Sequence, residues 1–256
     1  MIKTNLTSPT SVRKVVDSAG CYSVIEYAQD ISTSPAAAQT AYFAAQMNIR
    51  KRQVIATLNG NGVTIQAGAM QMMMGGVEAA TNVKGAGDLV KKLVGGKVTG
   101  ESAIKPQYAG YGLLVLEPTY RYILLEDLAK WNGKMVIDDG LFLACDDTVN
   151  VGVVARSTLS SAVLGNEGLF NTALSGTGIA VLESPVPREE LIEVVMDNDV
   201  LKVDGSMAIA WSDSLKFTVE RTTKTLIGSA ASSEGLVNVY RGSGRGLIAP
   251  VAGTAL

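Results

Sequence analysis

The apolar positions of this chain fall in short runs closed by proline. LLVLEP ends at Pro118, IAVLESP reaches Pro185 and RGLIAP ends at Pro250. Runs this short and apolar, stopped by proline, read as buried β-strands. Each run follows a paired-glycine phrase, Gly110-Tyr111-Gly112, Gly176-Thr177-Gly178 or Gly242-Ser243-Gly244, and the phrases begin 66 residues apart each time. A fixed period of that length means one supersecondary unit used three times. The glycines themselves predict a tight turn or bulge where a side chain would not fit.

A second set of markers repeats in its own register. Asn59-Gly60-Asn61-Gly62, Trp131-Asn132-Gly133 and Asp197-Asn198-Asp199 are hairpin-turn signals. Each leads into a short strand and a glycine (Gly68, Gly140, Gly205), followed by the β-compatible stretches AMQM, LFLA and SMAIA. Gly140 and Gly205 lie 65 residues apart, so the two registers agree within one residue. Upstream of the glycine phrases stand the elements Gly100-Glu101-Ser102, Glu167-Gly168-Leu169-Phe170 and Glu234-Gly235-Leu236. The expected fold is all-β: three small antiparallel β units, residues 55–118, 119–185 and 186–256, in a pseudo-threefold arrangement. In such a body each unit covers its neighbour's sheet edge.

Residues 1–54 lie outside the repeat and are expected to add one or more strands and a single helix packed on the body. Ser34 is a suitable N-cap, Pro35 suits the first helical position, and Ala36-Ala37-Ala38-Gln39 are helix formers. Tyr42, Phe43, Met47 and Ile49 would form the buried stripe of a helix spanning about 35–50. Arg50-Lys51-Arg52 could be a phosphate patch; solvated cations favoured at a helix C-terminus explain them more simply.

Composition narrows the function. Net charge is −2 with 24 acidic against 22 basic side chains, without the basic footprint of a nucleic-acid binder, so nucleic acid is disfavoured as a partner. No apolar run approaches the length of a membrane span. The start, MIKTNLTSPTSVRK, lacks the apolar stretch of a signal peptide, so a cytoplasmic location is expected. Cys21 and Cys145 have no metal or redox spacing. The chain has no histidine, which excludes Ser-His-Asp and Cys-His nucleophile systems and His-ligated metal. The chain is therefore expected not to be an enzyme, and to carry no cofactor and no metal.

Several local patterns invite chemistry but fall short of it. Gly85-Ala86-Gly87-Asp88 lacks the third glycine of a dinucleotide loop, and Gly96-Lys97 is followed by Val98 where a phosphate loop needs Ser or Thr. A turn of amphipathic helix, DLVKKLV, explains that stretch more simply. Asp138-Asp139 and Asp146-Asp147 bracket LFLAC and could meet around a hard cation, although turn residues explain them as well. Cys145 has no activating neighbour in sequence. In the run from Met70 to Met74, repeat alignment sets Met70 with Phe142 and Met207, and Met72 with Ala144 and Ile209. Met73 and Met74 fall opposite Cys145-Asp146 and Ala210-Trp211. Flexible methionines there suit an adaptable contact surface, with plain core filling as the alternative.

GAGDLVKKLVGGKVTGE, GYGLLVLEP, DDGLFLACDDTV, GNEGLF with the later GTG, and EGLVNVYRGSGRGLIAP together resemble the Altered Inheritance of Mitochondria protein twenty-four family over about residues 55–250. The resemblance implies a fold similar to the tryptophan RNA-binding attenuation protein: three such β units fused into a triangular body. It also implies a scaffold or membrane-peripheral organising role, and it supplies no catalytic residues. The expected partner is a further copy of the chain, forming a homo-oligomer, with Met73 and Met74 at the contact and a membrane surface as a second docking partner. The alternative is a small-molecule binding module with pockets between adjacent β units.

Overall fold

A computed structural model describes residues 2–80, 105–155, 170–205, 207–221 and 236–251. The N-terminal segment supplies a hairpin, β1 (Arg13–Ala19) and β2 (Tyr22–Tyr27), and one helix, α1 (Ala38–Gln46). The first repeat follows as β3 (Arg52–Ile65), β4 (Met70–Ala80) and β5 (Gln107–Leu116). In the second, each strand is divided: β6 (Tyr122–Asp127) with β7 (Lys134–Ile137), β8 (Phe142–Asp146) with β9 (Val149–Ala155), and β10 (Phe170–Gly176) with β11 (Ile179–Ser184). The third comprises β12 (Ile192–Asp204), β13 (Ala208–Ser212) with β14 (Lys216–Arg221), and β15 (Leu236–Ile248).

These strands form two curled antiparallel sheets. One runs β1-β2-β3-β8-β11-β6, with β5 on the other side of β3 and β4 beyond it. The other runs β12-β15-β13-β7-β10-β9, with β14 also on β15. Within each repeat the third strand lies between the first and second: β3-β5-β4, then β6/β7 beside β11/β10 beside β8/β9, then β12-β15-β13/β14. The all-β expectation therefore holds, together with one short N-terminal helix.

The three turn signals do not make hairpins. Asn59 to Gly62 is a bulge inside the continuous β3, and Asp197–Asn198 is a bulge inside the continuous β12. Only Trp131-Asn132-Gly133 interrupts its strand; a 3-10 turn ends there, with Asn132 left-handed (φ 54°), as the chain passes from one sheet to the other. Each signal sits opposite a glycine phrase. Leu58 and Asn59 pair with Gly112 and Tyr111, and Met196 and Asp199 pair with Gly244 and Gly242. Lys134 and Asp127 pair with Ser175 and Ile179, on either side of Gly176-Thr177-Gly178.

The glycine phrases exist because the second strand crowds them. A Cβ on Gly110 or Gly112 would overlap the carbonyl oxygen of Gly76 or Met74, and one on Gly176 would overlap that of Thr148. In the third repeat a Cβ on Gly244 would lie 2.9 Å from Cβ of Ser212. Gly110, Gly112, Gly176, Gly178 and Gly242 also hold φ between 120° and 155°, open to glycine and strained for other residues. All three strands of a repeat thus bend along one line at mid-length.

The apolar runs fill the space inside the bends. Leu58, Val63, Leu114, Leu116, Ala144 and Val181 pack with Tyr22 in one buried cluster. Leu128, Trp131, Met135, Ile137, Leu174 and Ile209 pack in a second. Trp211, Phe217 and Tyr240 form an aromatic group with centroids 5.2–5.7 Å apart around which a third cluster assembles.

The helix departs from its expected packing. Ser34 does accept the Ala37 amide at 3.3 Å, and Pro35 opens the 3-10 turn that leads into α1. However, α1 ends at Gln46, and its buried residue is Ala45. Tyr42, Phe43 and Met47 are exposed, at 54%, 57% and 74%, and Ile49 is exposed at 38%. A helix of nine residues is too short to hold itself, and this one packs through its alanines, which leaves the large side chains outward. The acidic-glycine elements and the DLVKKLV segment with its glycine motifs lie outside the described residues.

If close approach by the second strand is what requires glycine in the phrases, two alanine substitutions should separate. Gly112→Ala meets both overlap and a forbidden backbone angle, and should cost about 3 kcal/mol or more. Gly68→Ala shares a positive φ (84°) but would meet nothing within 4 Å, and should cost about 1–2 kcal/mol. Urea unfolding of both variants gives the comparison, and equal losses would refute the crowding argument.

Candidate functional site

The strand order makes two seams between repeats, and they are built alike. At one, the end of β3 pairs with the start of β8: Val63 with Asp146, Thr64 with Cys145, Ile65 with Ala144. At the other, β7 pairs with the start of β13: Met135 with Ser212, Val136 with Trp211, Ile137 with Ala210. In each case the end of a repeat's first strand receives the start of the next repeat's second strand. In both receiving strands the third strand skips one residue, Leu143 in β8 and Ile209 in β13. In β4 it skips Gln71.

The shared bulge aligns Met72 with Ala144 and Ala210, Met73 with Cys145 and Trp211, and Met74 with Asp146 and Ser212. The sequence alignment was therefore one residue out in the third repeat, because a bulge leaves no fixed mark in the residue types. Position matters here: Cys145 and Trp211 are 0% and 4% exposed at their seams, whereas Met73 is 46% exposed. Among the described strands β4 pairs with β5 alone. Of the two singled-out methionines, Met73 is at the surface beside Leu114, and Met74 is half-buried against the Ile25, Ile55 and Val115 cluster. Met72, 38% exposed, joins Met73 on the open edge.

A matching edge is open at the other end of the chain. β12 pairs with β15 alone among the described strands. Its Val195 and Val200 are exposed at 77% and 49%. Through its pairing to β15, the stretch Leu201-Lys202-Val203 occupies the place held by Val63-Thr64-Ile65 in β3 and Met135-Val136-Ile137 in β7.

Concave sites also occur. Beneath the alanine face of α1 lies a cavity of about 400 Å³, lined by Ala37, Ala41, Ala44 and Ile49 with Tyr27, Asp30, Lys51 and Tyr120. Two clefts of about 370 and 350 Å³ lie at the joints between repeats; Gly110 and Asp147 border one, Gly244 and Arg245 the other. These match the place expected for pockets between β units, although backbone crowding already accounts for the glycines.

The basic triplet is not a free phosphate patch. Arg52 is buried and pairs through Nη2 with Glu26 Oε2 at 2.9 Å, donates to Asn48 Oδ1 at 2.7 Å, and stacks 4.3 Å above the Tyr122 ring. Arg50 pairs with the other Glu26 oxygen at 2.9 Å and donates through Nε to the Ala45 carbonyl, capping α1. Lys51 pairs with Asp30 at 2.9 Å. Hydrogen bonds from Lys51 and Tyr120 hold the Asp30 carboxyl below its ordinary range. These cations do reach a helix C-terminus, but they are paired rather than solvated.

The remaining candidate groups have structural partners. Asp146 accepts the Ile179 amide at 2.8 Å, and its other oxygen lies 3.7 Å from Cys21 Sγ. Among the described residues no cluster of three or more Asp, Glu, Cys or His side chains is placed to hold a metal ion. Burial, reinforced by the Asp146 charge, pushes both Cys21 and Cys145 up to about 12 from an ordinary 9. At neutral pH both are thiols, a poor state for nucleophilic attack.

Both thiols should therefore react with a maleimide or disulfide probe at pH 8 far more slowly in the folded protein than in urea. The thiols also tie stability to alkaline pH. With the folded pKa raised, the unfolded chain loses its thiol protons first, so stability is full below about pH 9 and falls as pH rises towards 12. Denaturation midpoints at pH 8 and 10, compared with a Cys21→Ser, Cys145→Ala variant, measure this; identical pH slopes would contradict it.

Comparison with known proteins supports the fold. A crystal structure of protein SPYM3_0169 from Streptococcus pyogenes is similar, with a TM-score of 0.58 and 24% sequence identity, covering 80% of this chain and 90% of that one. No curated protein matches the chain. Among the described residues no helix is long and apolar enough to cross a membrane. The family described as Mitochondrial biogenesis AIM24 matches residues 45–251, a span that takes in β3 to β15 with both seams and both open edges, and the chain belongs to that family.

Proposed function

We propose that the protein is a non-enzymatic, self-associating scaffold, working in the cytoplasm or at the periphery of a membrane. The observation that supports this reading most is the pair of unpartnered strand edges, β4 and β12, with Met72, Met73, Val195 and Val200 exposed along them. A free edge is a template for further strand pairing. The protonated thiols, the internally paired basic triplet and the structural duties of Asp146 leave the chemistry-bearing residues committed to the fold. The exposed Tyr42, Phe43 and Met47 of α1 add an apolar surface of the kind a docking partner covers.

A small-molecule binding module is the second reading, favoured by the apolar cavity of about 400 Å³ beneath α1, which has the size of a ligand site. Native mass spectrometry separates the two. For the scaffold, the wild type should run as a discrete multimer, and Met72→Asp with Met73→Asp should reduce it to monomers with an unchanged circular dichroism spectrum. Both side chains are partly exposed, so folding should survive the double substitution. A monomeric wild type at tens of micromolar, or a multimer untouched by the substitutions, would count against the scaffold. A reproducible mass adduct on the monomer would favour the binding module.

A further inference from the structure

We infer that the protein assembles head to tail, the β12 edge of one copy pairing antiparallel with the β4 edge of the next. The inference rests on the scaffold reading and specifies its interface. Its basis is a joint that the chain already makes twice. β3 receives β8, and β7 receives β13, at equivalent residues and in the same register, next to the same skipped residue in the receiving strand. The structure leaves one further half of each kind. β12 carries the giving half, Leu201-Lys202-Val203, and β4 carries the receiving half, Met72-Met73-Met74 with its skipped Gln71. Neither pairs across that edge among the described strands.

Each copy therefore presents one edge of each kind, and the two are complementary in the way the internal seams demonstrate. Two copies of β4 would bring like edges together, for which the chain offers no precedent. The internal register fixes the expected contacts: Val203 opposite Met72, Lys202 opposite Met73, and Leu201 opposite Met74. Met70 to Val77 carries no charged residue that would blunt the edge against pairing. At Met73 the Lys202 stem can lie along the thioether with its ammonium outward. A head-to-tail joint of this kind is heterologous; it yields a closed ring or an open filament depending on the rotation at each step.

The register can be tested with cysteine pairs. Residues opposite each other in an antiparallel pair lie about 4.5–5.5 Å apart at Cα, within the span a disulfide bridges. Full-length Met73→Cys and Lys202→Cys proteins are mixed under mild oxidation, and the linked peptides are identified by mass. The expected result is a mixed disulfide dimer from the two variants, at least tenfold above the dimers that either forms alone. A mixture dominated by Met73→Cys homodimers would overturn the head-to-tail arrangement. Linkage found only within single chains of the double variant would place the third joint inside one molecule, and would overturn it too. A wild type that is multimeric by native mass spectrometry but gives no mixed dimer would refute this interface and leave the scaffold standing; a monomeric wild type would refute both.

Discussion

Every repeat of this protein depends on a contact that admits no side chain. Where the third strand crosses mid-length, the backbone of the second strand occupies the space a Cβ would need, at Gly110, Gly112 and Gly176 most severely. The first strand answers on the opposite side with a bulge or a left-handed turn, at Asn59–Gly62, Asn132 and Asn198. Bulges sharpen local twist and redirect a strand. Three strands bending together carry the second repeat from one sheet to the other, and the two seams form on either side of that crossing. Remove the close approach and the halves of β8/β9 and β10/β11 lose the geometry that lets them serve different sheets.

The N-terminal segment is attached by different physics. α1 buries Ala45 alone, too little apolar area to fix a short helix. What holds it is electrostatic. Glu26 on β2 receives Arg50 and Arg52 together, and these arginines reach back to the Ala45 and Asn48 carbonyls at the helix end. Removing one partner of such a buried pair typically costs about 3–5 kcal/mol, because the other charge is left stranded. The segment is thus anchored at its C-terminal end, while the cavity of about 400 Å³ stays open beneath the helix. One arrangement explains both the outward Tyr42 and Phe43 and the loss of a basic patch.

The sequence carried this division unevenly. The period of 66 residues, the glycine phrases and the proline-ended runs were legible because backbone crowding and strand termination demand particular residue types. The asparagine-glycine signals were legible as breaks but misleading as hairpins, since the same left-handed preference serves a bulge inside a continuous strand. Packing of α1 was illegible: an apolar stripe shows which side could be buried, and nothing local says that small alanines will take the contact instead. Ion pairing of Arg50, Lys51 and Arg52 needed Glu26 and Asp30, more than twenty residues away in sequence. The open edges were half legible. Met73 and Met74 stood out as residues without an inward assignment, but β12 offered no sign until its pairing to β15 was known.

The seam position also shows how the repeats have drifted around a fixed backbone. Cys145, Trp211 and Met73 occupy one place in the register, beside Ala180, Gly246 and Leu114. The large Trp211 sits over a glycine and the small Cys145 over an alanine, so volume is traded across the strand pair as close packing requires. Met73 breaks the trade: both it and Leu114 are large, and the surplus emerges at the surface. A rigid aromatic there would be fixed in one shape whether covered or wet. Methionine is flexible and polarizable, and it tolerates solvent before it is covered and fills an irregular gap afterwards. The side chain at the open edge therefore differs from its buried counterparts in the property that a contact made after folding, rather than during it, would call for.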